Sequence, residues 1–298
     1  MHPLRAALAG LIDYAGLYPP ASLDLAHVVA NHQRYARSGE GWLLGRLVVP
    51  LARLEEVHPL IGRDDVSPES WTISVLARPG DRLDSLEDRI TSFNQRHPGS
   101  AVVAVELAAH TVGDVSRIAG DVPERYERYI ELALGDHLPE LLDAVAVGGC
   151  YAKVRTGGVT SDAFPSAAAL SAFIAHCVAR DLPFKATAGL HHPIRGSYRL
   201  TYEPQSPSGV MHGFVNLVVA TGLLSVRRID DIGAASILET SDAAAFGMEG
   251  DGIRFGPHRL TIDECNSARA HVLRSVGSCS FEDAVADLRR IGWIGPED

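Results

Sequence analysis

Residues 150–188 read CYAKVRTGGVTSDAFPSAAALSAFIAHCVARDLPFKATA, a stretch with three segments of different hydrophobic pattern. Two short apolar segments, 150–156 and 184–188, enclose an alanine-rich segment, 164–179, that has helical spacing and carries Pro165 in its first turn. A buried strand, a helix and a second buried strand are typical of a βαβ unit, in which the two strands run parallel. The stretch therefore predicts a parallel sheet covered by helices.

The same alternation recurs from the start of the chain. Strand-like segments lie at 11–17, 44–50, 71–77, 101–107 and 129–134, and helix-like segments begin near 23 and lie at 51–61, 83–93 and 138–147. The strands are apolar on both faces, as in parallel α/β sheets. Seven such units favour a closed (β/α)8 TIM barrel, and no G-x-G-x-x-G or Walker-type loop supports an open doubly wound sheet.

The regular alternation of strand-like and helix-like segments ends after the seventh strand. We therefore expect a divergent C-terminal part within a single domain of residues 1–298. Residues 1–194 hold the regular strand–helix units. Residues 195–209 predict a long loop over the site, 211–226 an apolar helix, and 261–276 and 281–291 two amphipathic helices. Segment 250–257 fits either the eighth strand or a surface hairpin. Segment 211–226 and Trp293 suit either the core or an interface, which leaves a homo-oligomer open.

Composition narrows the class of partner. The formal net charge of −10 argues against a nucleic-acid partner, because a phosphate backbone requires a basic face. No apolar run approaches the length of a membrane span, and the apolar start is interrupted by Asp13, so we expect a first helix rather than a signal peptide or membrane segment. Four scattered cysteines, without paired ligand spacing, predict reduced thiols in a cytoplasmic protein.

Lysine is almost absent from the chain. Lys153 and Lys185 are the only lysines among 27 basic residues, and each lies in an apolar strand followed by glycine. An amine, unlike a guanidinium, can lose its proton and attack a carbonyl carbon. In a parallel barrel the two lysines would lie on adjacent strands near the common mouth. We expect their mutual repulsion to lower the pKa of one amine, which predicts a Schiff-base nucleophile.

Two strands carry a single carboxylate each. Glu106 and Glu131 interrupt otherwise apolar strands, and a buried carboxylate is costly unless it has a partner. One interpretation is a structural ion pair with an arginine. The other is a proton shuttle beside the iminium.

These residues, in this order, resemble the deoxyribose-phosphate aldolases, which are class I aldolases on a TIM barrel. Segment 11–17, LIDYAGL, is similar to that family's Ile-Asp-His-Thr-Leu-Leu strand, and LVVP at 47–50 to its Val-Cys-Val-Asn/Tyr-Pro strand. VEL at 105–107 stands where the family has Val-Asp-Val. KVRTGG from Lys153 and KATAGLH from Lys185 resemble its two lysine motifs. The resemblance implies that Lys153 is the nucleophile, that Lys185 depresses its pKa, and that Glu106 is the proton shuttle.

The departures from that family concern the substrate. Its phosphate site uses paired glycines after the second lysine and a Gly-Ala/Ser-Ser turn after the last strand, whereas here Gly189 stands alone and 255–258 matches the turn poorly. Arg155 replaces a small hydroxyl residue and could bind a carboxylate through two hydrogen bonds. We therefore expect a small carbonyl compound or oxo acid and no cofactor. The expected substrate-binding residues are Asp13, Glu131, Arg155, Thr156, Gly157, Thr187, Gly189, His191 and His192.

Two other functions stay open. His191, His192 and His212, with Glu106 and Glu131, could hold a divalent metal such as zinc for a lyase or hydrolase. Adjacent histidines on an extended chain point to opposite faces, so at most one of the first two would reach a shared metal. A barrel that binds a small molecule without catalysis is the second alternative.

Overall fold

The computed structural model describes residues 2–61, 71–78, 81, 83–96 and 99–295. The strands are β1 (Ile12–Tyr14), β2 (Leu44–Pro50), β3 (Trp71–Leu76), β4 (Ser100–Ala108), β5 (Glu127–Leu132), β6 (Tyr151–Arg155), β7 (Phe184–Thr187), β8 (Gly196–Arg199), β9 (Ser208–Met211), β10 (Phe246–Glu249), β11 (Gly252–Phe255), β12 (His258–Thr261) and β13 (Leu273–Ser278). The α-helices are α1 (Pro3–Leu8), α2 (Leu25–Ala36), α3 (Leu54–Val57), α4 (Leu86–Arg96), α5 (Val112–Asp121), α6 (Leu138–Val147), α7 (Ala167–Ala179), α8 (Phe214–Ser225), α9 (Asp231–Glu239), α10 (Ile262–His271) and α11 (Glu282–Arg290). Short 3-10 helices lie at Gly41–Leu43, Leu51–Arg53, His58–Leu60, Leu83–Ser85, Ser161–Ala163 and Ala243–Ala245.

Eight of the strands close into a barrel. Their order is β1–β13–β7–β6–β5–β4–β3–β2, and neighbouring strands are parallel. Helices lie between successive strands on the outside. The predicted (β/α)8 fold class is therefore confirmed.

Alternation along the strands determines which side chains face the barrel interior. Fully buried apolar residues in the core between barrel and helices include Val105, Ile130, Val154 and Ala186. Because successive side chains of a strand point to opposite faces, the residues next to these point inward. The inward set includes Glu106, Glu131, Lys153 and Lys185. Charged groups thus occupy the barrel interior, a position that branched apolar residues usually fill.

The eighth barrel strand lies where we predicted a helix. Segment 261–276 is split into α10, which ends at His271, and β13, which starts at Leu273 and pairs with both β1 and β7. Segment 250–257 belongs to a separate antiparallel sheet, β10–β11–β12, so the surface-hairpin interpretation is correct. The predicted loop 195–209 is largely a hairpin, in which β8 pairs with β9. The C-terminal part therefore both completes the barrel and adds to it.

The most apolar segments of the chain form helices α7 and α8. All residues of α8 from Phe214 to Leu224 are buried, so the helix is part of the core. Contrary to the expectation that no apolar run approaches the length of a membrane span, segment Ser161–Ala179 is long and apolar enough to cross one by length and composition. In the fold it consists of a 3-10 turn and α7, whose Phe173 and Ile174 are fully buried in the same core. In this apolar segment 33 % of the residues are buried, so core packing accounts for part of its composition.

Candidate active site

Strand register brings the two lysines side by side. Lys153 on β6 is aligned with Lys185 on β7, and on either side the row continues with Glu131 on β5 and Ser275 on β13. All four residues are inward-facing, because in-register positions of neighbouring strands share a face. The two lysines predicted to be neighbours are brought together.

Glu106 joins both lysines. Its Oε2 lies 2.9 Å from Lys153 Nζ, and its Oε1 lies 2.7 Å from Lys185 Nζ. Ser74 on β3 donates a further hydrogen bond of 2.6 Å to Oε1. Glu106 is 1 % exposed, so this carboxylate has exchanged water for two ammonium groups and a hydroxyl. Such charge-assisted hydrogen bonds are what makes a buried carboxylate tolerable.

Asp13 completes the surroundings of Lys185. Lys185 Nζ donates a 2.6 Å hydrogen bond to Asp13 Oδ2, and Ser275 donates one of 2.7 Å to the same oxygen. The backbone amide of Arg46 donates to Oδ1. We expected Asp13 to bind substrate, but the carboxylate is buried and bonded on both oxygens. Asp13 fixes Lys185, which is itself fully buried, and its contact with substrate stays a prediction.

Charge in this cluster is distributed differently from our expectation. Burial favours the neutral form of Glu106, but the charges of Lys153 and Lys185 outweigh it and hold the pKa of Glu106 well below its usual range. Burial likewise opposes the charge on Lys153, yet Glu106 and Glu131 outweigh it and raise the pKa of Lys153. The predicted lowering of an amine pKa by the second lysine is therefore wrong for Lys153. Opposite charges at hydrogen-bond distance dominate over the neighbouring ammonium group.

Glu131 and Arg155 connect the cluster to solvent. Glu131 Oε2 lies 2.8 Å from Lys153 Nζ, and the Glu131 side chain is 25 % exposed. Arg155 Nη1 lies 3.8 Å from Glu131 Oε1, with its side chain 60 % exposed. Glu131 thus contacts the buried amine of Lys153 and is also accessible from the mouth of the barrel. The exposed guanidinium of Arg155 lies beside it as a cation.

The predicted loop residues hold the backbone together. Thr156 Oγ1 donates a 2.6 Å hydrogen bond to the carbonyl of Ala188, which ties the β6 loop to the β7 loop. Gly157 and Gly189 approach each other beneath the ring of Phe164. The hydroxyl of Thr187 packs against Gly277 on β13. These residues, expected to bind substrate, shape the rim through contacts within the protein.

The three histidines of the metal interpretation are held in different places. His191 Nδ1 lies 2.8 Å from Ser278 Oγ, His192 Nδ1 lies 2.7 Å from Asp287 Oδ2 on α11, and His212 Nε2 lies 2.8 Å from the carbonyl of Pro165. None of these contacts involves Glu106 or Glu131. Among the described residues, no group of three or more histidine, cysteine, aspartate or glutamate side chains could hold a metal ion. The expected ligand set does not come together.

We compared residues 255–258 with the aldolase turn after the last barrel strand, and this position is wrong. β13 ends at Ser278, so the turn to compare with the aldolase motif is 277–280, GSCS, rather than 255–258. Ser278 Oγ donates to the carbonyl of Ser280. Helix α11 follows with Glu282 and Asp283 in its first turn. Two carboxylates at a helix N-terminus disfavour a bound anion, so this turn gives phosphate recognition no support.

No protein-family model and no curated protein matches this chain. The likeness to deoxyribose-phosphate aldolases is therefore a likeness of short motifs in order along a barrel. What the site can do has to be inferred from its geometry.

A second polar layer lies on the β5 residues that precede Glu131, and the sequence had not revealed it. Glu127 receives Arg46 at 2.7 Å and Arg274 at 2.8 Å, and the hydroxyl of Tyr129 donates to it at 2.6 Å. Lys185 Nζ lies 5.3 Å from the centre of the Tyr129 ring, which links the two layers. The cluster around Glu106 thus packs against a second layer whose charges are paired and hydrogen-bonded.

Proposed function

We propose that this protein is a Schiff-base lyase of the class I aldolase type, acting on a small carbonyl compound or oxo acid without a cofactor. The observation that carries the proposal is the sharing of one buried carboxylate, Glu106, by the only two lysines of the chain. Every other lysine-or-arginine position of the chain holds arginine, so the lysine amines occur only in this cluster. Only an amine can form an imine.

Lys153 is the proposed nucleophile, because Glu131 connects it to the mouth of the barrel. The ammonium of Lys153 first loses one proton to solvent by way of Glu131, 2.8 Å away. The free amine then attacks the carbonyl carbon, and the carbinolamine loses water to give an iminium. This cation accepts the electron pair of the carbon–carbon bond that breaks, or supplies the enamine for the bond that forms.

Glu106 has a different role in this proposal from the one implied by the resemblance. Its oxygens are occupied by Lys153, Lys185 and Ser74, and its pKa is held low. A carboxylate in that state is a fixed anion that stabilises an adjacent cation. Because Glu131 is partly exposed and contacts Lys153 directly, geometry favours Glu131 as the proton shuttle.

Reductive trapping tests the proposal, and the chain is well suited to it. We would incubate the protein with pyruvate, acetaldehyde and other small carbonyl compounds, reduce with borohydride, and locate the adduct by peptide mass spectrometry. We expect an adduct on Lys153 that disappears in Lys153→Arg. Arg117→Lys, which adds a lysine at a side chain 56 % exposed on α5, serves as a reference for nonspecific labelling of a surface amine.

The pH dependence sharpens the test. Because the pKa of Lys153 is raised and only the free amine attacks, the initial rate of imine formation should rise about tenfold per pH unit from pH 7 upward. No adduct on Lys153 with any carbonyl, at any pH up to 9, would contradict the proposal. Products of the untrapped reaction would then separate aldol cleavage from decarboxylation or dehydration.

A further inference from the structure

Arg155 holds a guanidinium beside the proposed nucleophile without using it in a hydrogen bond. It is the last residue of β6, two positions after Lys153, so both side chains lie on the inward face and Arg155 is closer to the mouth. Within the described ranges its guanidinium donates no hydrogen bond, and its one ion pair joins Nη1 to Glu131 Oε1 at 3.8 Å. Charge-assisted hydrogen bonds are about 1 Å shorter than this contact.

Other arginines of the barrel strands are bonded within the protein. Arg46 and Arg274 pair with Glu127 at 2.7 and 2.8 Å, and Arg128 donates to four backbone carbonyls. An exposed arginine with one distant carboxylate contributes little to stability. What distinguishes Arg155 is therefore its short distance from a reactive amine.

Glu131 fixes that distance. Its Oε2 lies 2.8 Å from Lys153 Nζ, and its Oε1 lies 3.8 Å from Arg155 Nη1. The amine and the guanidinium thus contact the two oxygens of one carboxylate. A 2-oxo acid carries its carbonyl and its carboxylate on adjacent carbons, so it requires an amine and a cation that lie this near each other. An oxo acid with a longer chain between the two groups would require a more distant cation.

The shape of the guanidinium also suits a carboxylate. Its N–H groups form a planar fork that matches the two oxygens of a carboxylate. Its closest contact with Glu131 is through Nη1, which leaves the edge formed by Nε and Nη2 for two parallel hydrogen bonds. The charge of Glu131 is offset by Lys153, and this limits repulsion between Glu131 and a bound anion.

We propose that Arg155 binds the carboxylate of a 2-oxo acid through two hydrogen bonds and so presents the neighbouring carbonyl carbon to Lys153. This inference rests on the proposed function and narrows its substrate to 2-oxo acids such as pyruvate. The guanidinium keeps its charge and takes no part in bond making. Arg155 is a specificity-determining residue, which selects a carbonyl compound with a carboxylate over a neutral one.

Pyruvate and pyruvamide test this role, because they differ only in the carboxylate or neutral amide beside the ketone. We would trap both with cyanoborohydride and measure the initial rate of adduct formation on Lys153 against concentration, in the parent and in Arg155→Gln. Arg117→Gln on α5 is the matched control. It removes the same charge from a side chain 56 % exposed, against 60 % for Arg155, whose ion pair with Asp114 spans 3.5 Å.

We expect Arg155→Gln to lower the ratio of the pyruvate rate to the pyruvamide rate, at low concentration, by about 10- to 100-fold, the effect of losing hydrogen bonds to a charged group. The intrinsic reactivities of the two compounds are the same for every variant, so they cancel when ratios are compared. An effect of Arg155 on the proton of Lys153 would slow both compounds equally and would leave the ratio unchanged. Arg117→Gln should keep the parent ratio, and both variants should unfold at the parent temperature.

The outcomes separate this inference from the proposed function. If Arg155→Gln keeps the parent ratio, or if Arg117→Gln lowers the ratio equally, Arg155 does not bind the carboxylate. An adduct on Lys153 in the parent would then still support Schiff-base chemistry. If the parent forms an adduct with acetaldehyde but not with pyruvate, the substrate class is wrong and the Schiff-base proposal stands. If the parent forms no adduct with any carbonyl compound, both proposals fail.

Discussion

Glu106 is the carboxylate that both buried lysines of this site share. One carboxylate, 1 % exposed, bonds two ammonium groups and a hydroxyl that come from three other strands. Each charge here is tolerable only because its partners are present. The pairing therefore connects the inward faces of these four strands.

Replacing Glu106 with glutamine should destabilise the fold by about 3–5 kcal/mol, the usual cost of removing one member of a buried charge pair. Lys153 would keep Glu131 and Lys185 would keep Asp13, but each would face a neutral amide and the other's positive charge. Urea unfolding at pH 7 measures the loss. Glu140→Gln on the surface of α6 is the control and should change stability by less than about 0.5 kcal/mol. Equal stability of the two variants would show that the buried pairing contributes little.

The sequence predicts some residues of this site much better than others. Lysine and glutamate inside apolar strands are expensive, so Lys153, Lys185, Glu106 and Glu131 stand out without a structure. Serine is ordinary in strands and loops, so Ser74 and Ser275 give no such signal. Whether the pKa of Lys153 is raised or lowered also depends on which charges lie at hydrogen-bond distance. The position of a residue in a strand does not reveal those charges.

At the scale of elements, the loops after β6 and β7 form one unit. An added Cβ on Gly157 would lie 2.5 Å from Phe164 Cε1 and 3.0 Å from the Cα of Gly189. Gly189 has a φ of +74°, a left-handed conformation that glycine adopts readily. The close approach of these two glycines sets the geometry of the chain just beyond Arg155.

Gly157→Ala should therefore cost about 1–3 kcal/mol, because a methyl group has to displace a ring and a neighbouring backbone. Gly120→Ala on α5 is the control: no atom lies within 4 Å of the added Cβ, and alanine favours the helix, so a gain of about 0.5–1 kcal/mol is expected. Urea denaturation of both variants gives the comparison. A Gly157→Ala protein as stable as its parent would mean that Phe164 moves aside freely.

Seven barrel strands could be predicted because each is an apolar segment bounded by turn residues or a helix pattern. The eighth strand could not be predicted, because only Val272 separates β13 from α10 and no turn residue interrupts the helical spacing. Segment 273–278, LRSVGS, also lacks the continuous apolar character of the other strands. Its strand conformation is imposed by pairing with β1 and β7, a nonlocal effect.

At the scale of the whole molecule, two buried histidines link stability to pH. Burial lowers the pKa of His32 to about 4, against the opposing effects of the Gly45 backbone and Asp13. Burial also lowers the pKa of His191 to about 4, and His192 adds to the shift. In the folded protein both are predominantly neutral above their pKa of about 4, whereas the unfolded chain protonates them near pH 6.5.

Stability should consequently fall as the pH drops from about 6.5 to about 4, because the unfolded state then binds more protons than the folded state. Each histidine contributes a loss of up to roughly 3 kcal/mol, which levels off below its folded pKa. His32→Leu should reduce the slope of unfolding free energy against pH in this window. An unchanged slope in that variant would show that His32 becomes protonated without unfolding.

The position of β13 has a consequence for how the protein is made. Lys185 bonds Asp13, 172 residues earlier in the chain, and Ser275 of β13 bonds the same carboxylate. On the ribosome, seven of the eight barrel strands emerge before β13, which lies between β7 and β1, and until then both β7 and β1 have an open edge. Open edges invite pairing with other chains. A nascent chain arrested before residue 273 should therefore bind chaperones strongly, and the contacts that join Asp13, Lys185 and Ser275 are completed only after β13 has been made.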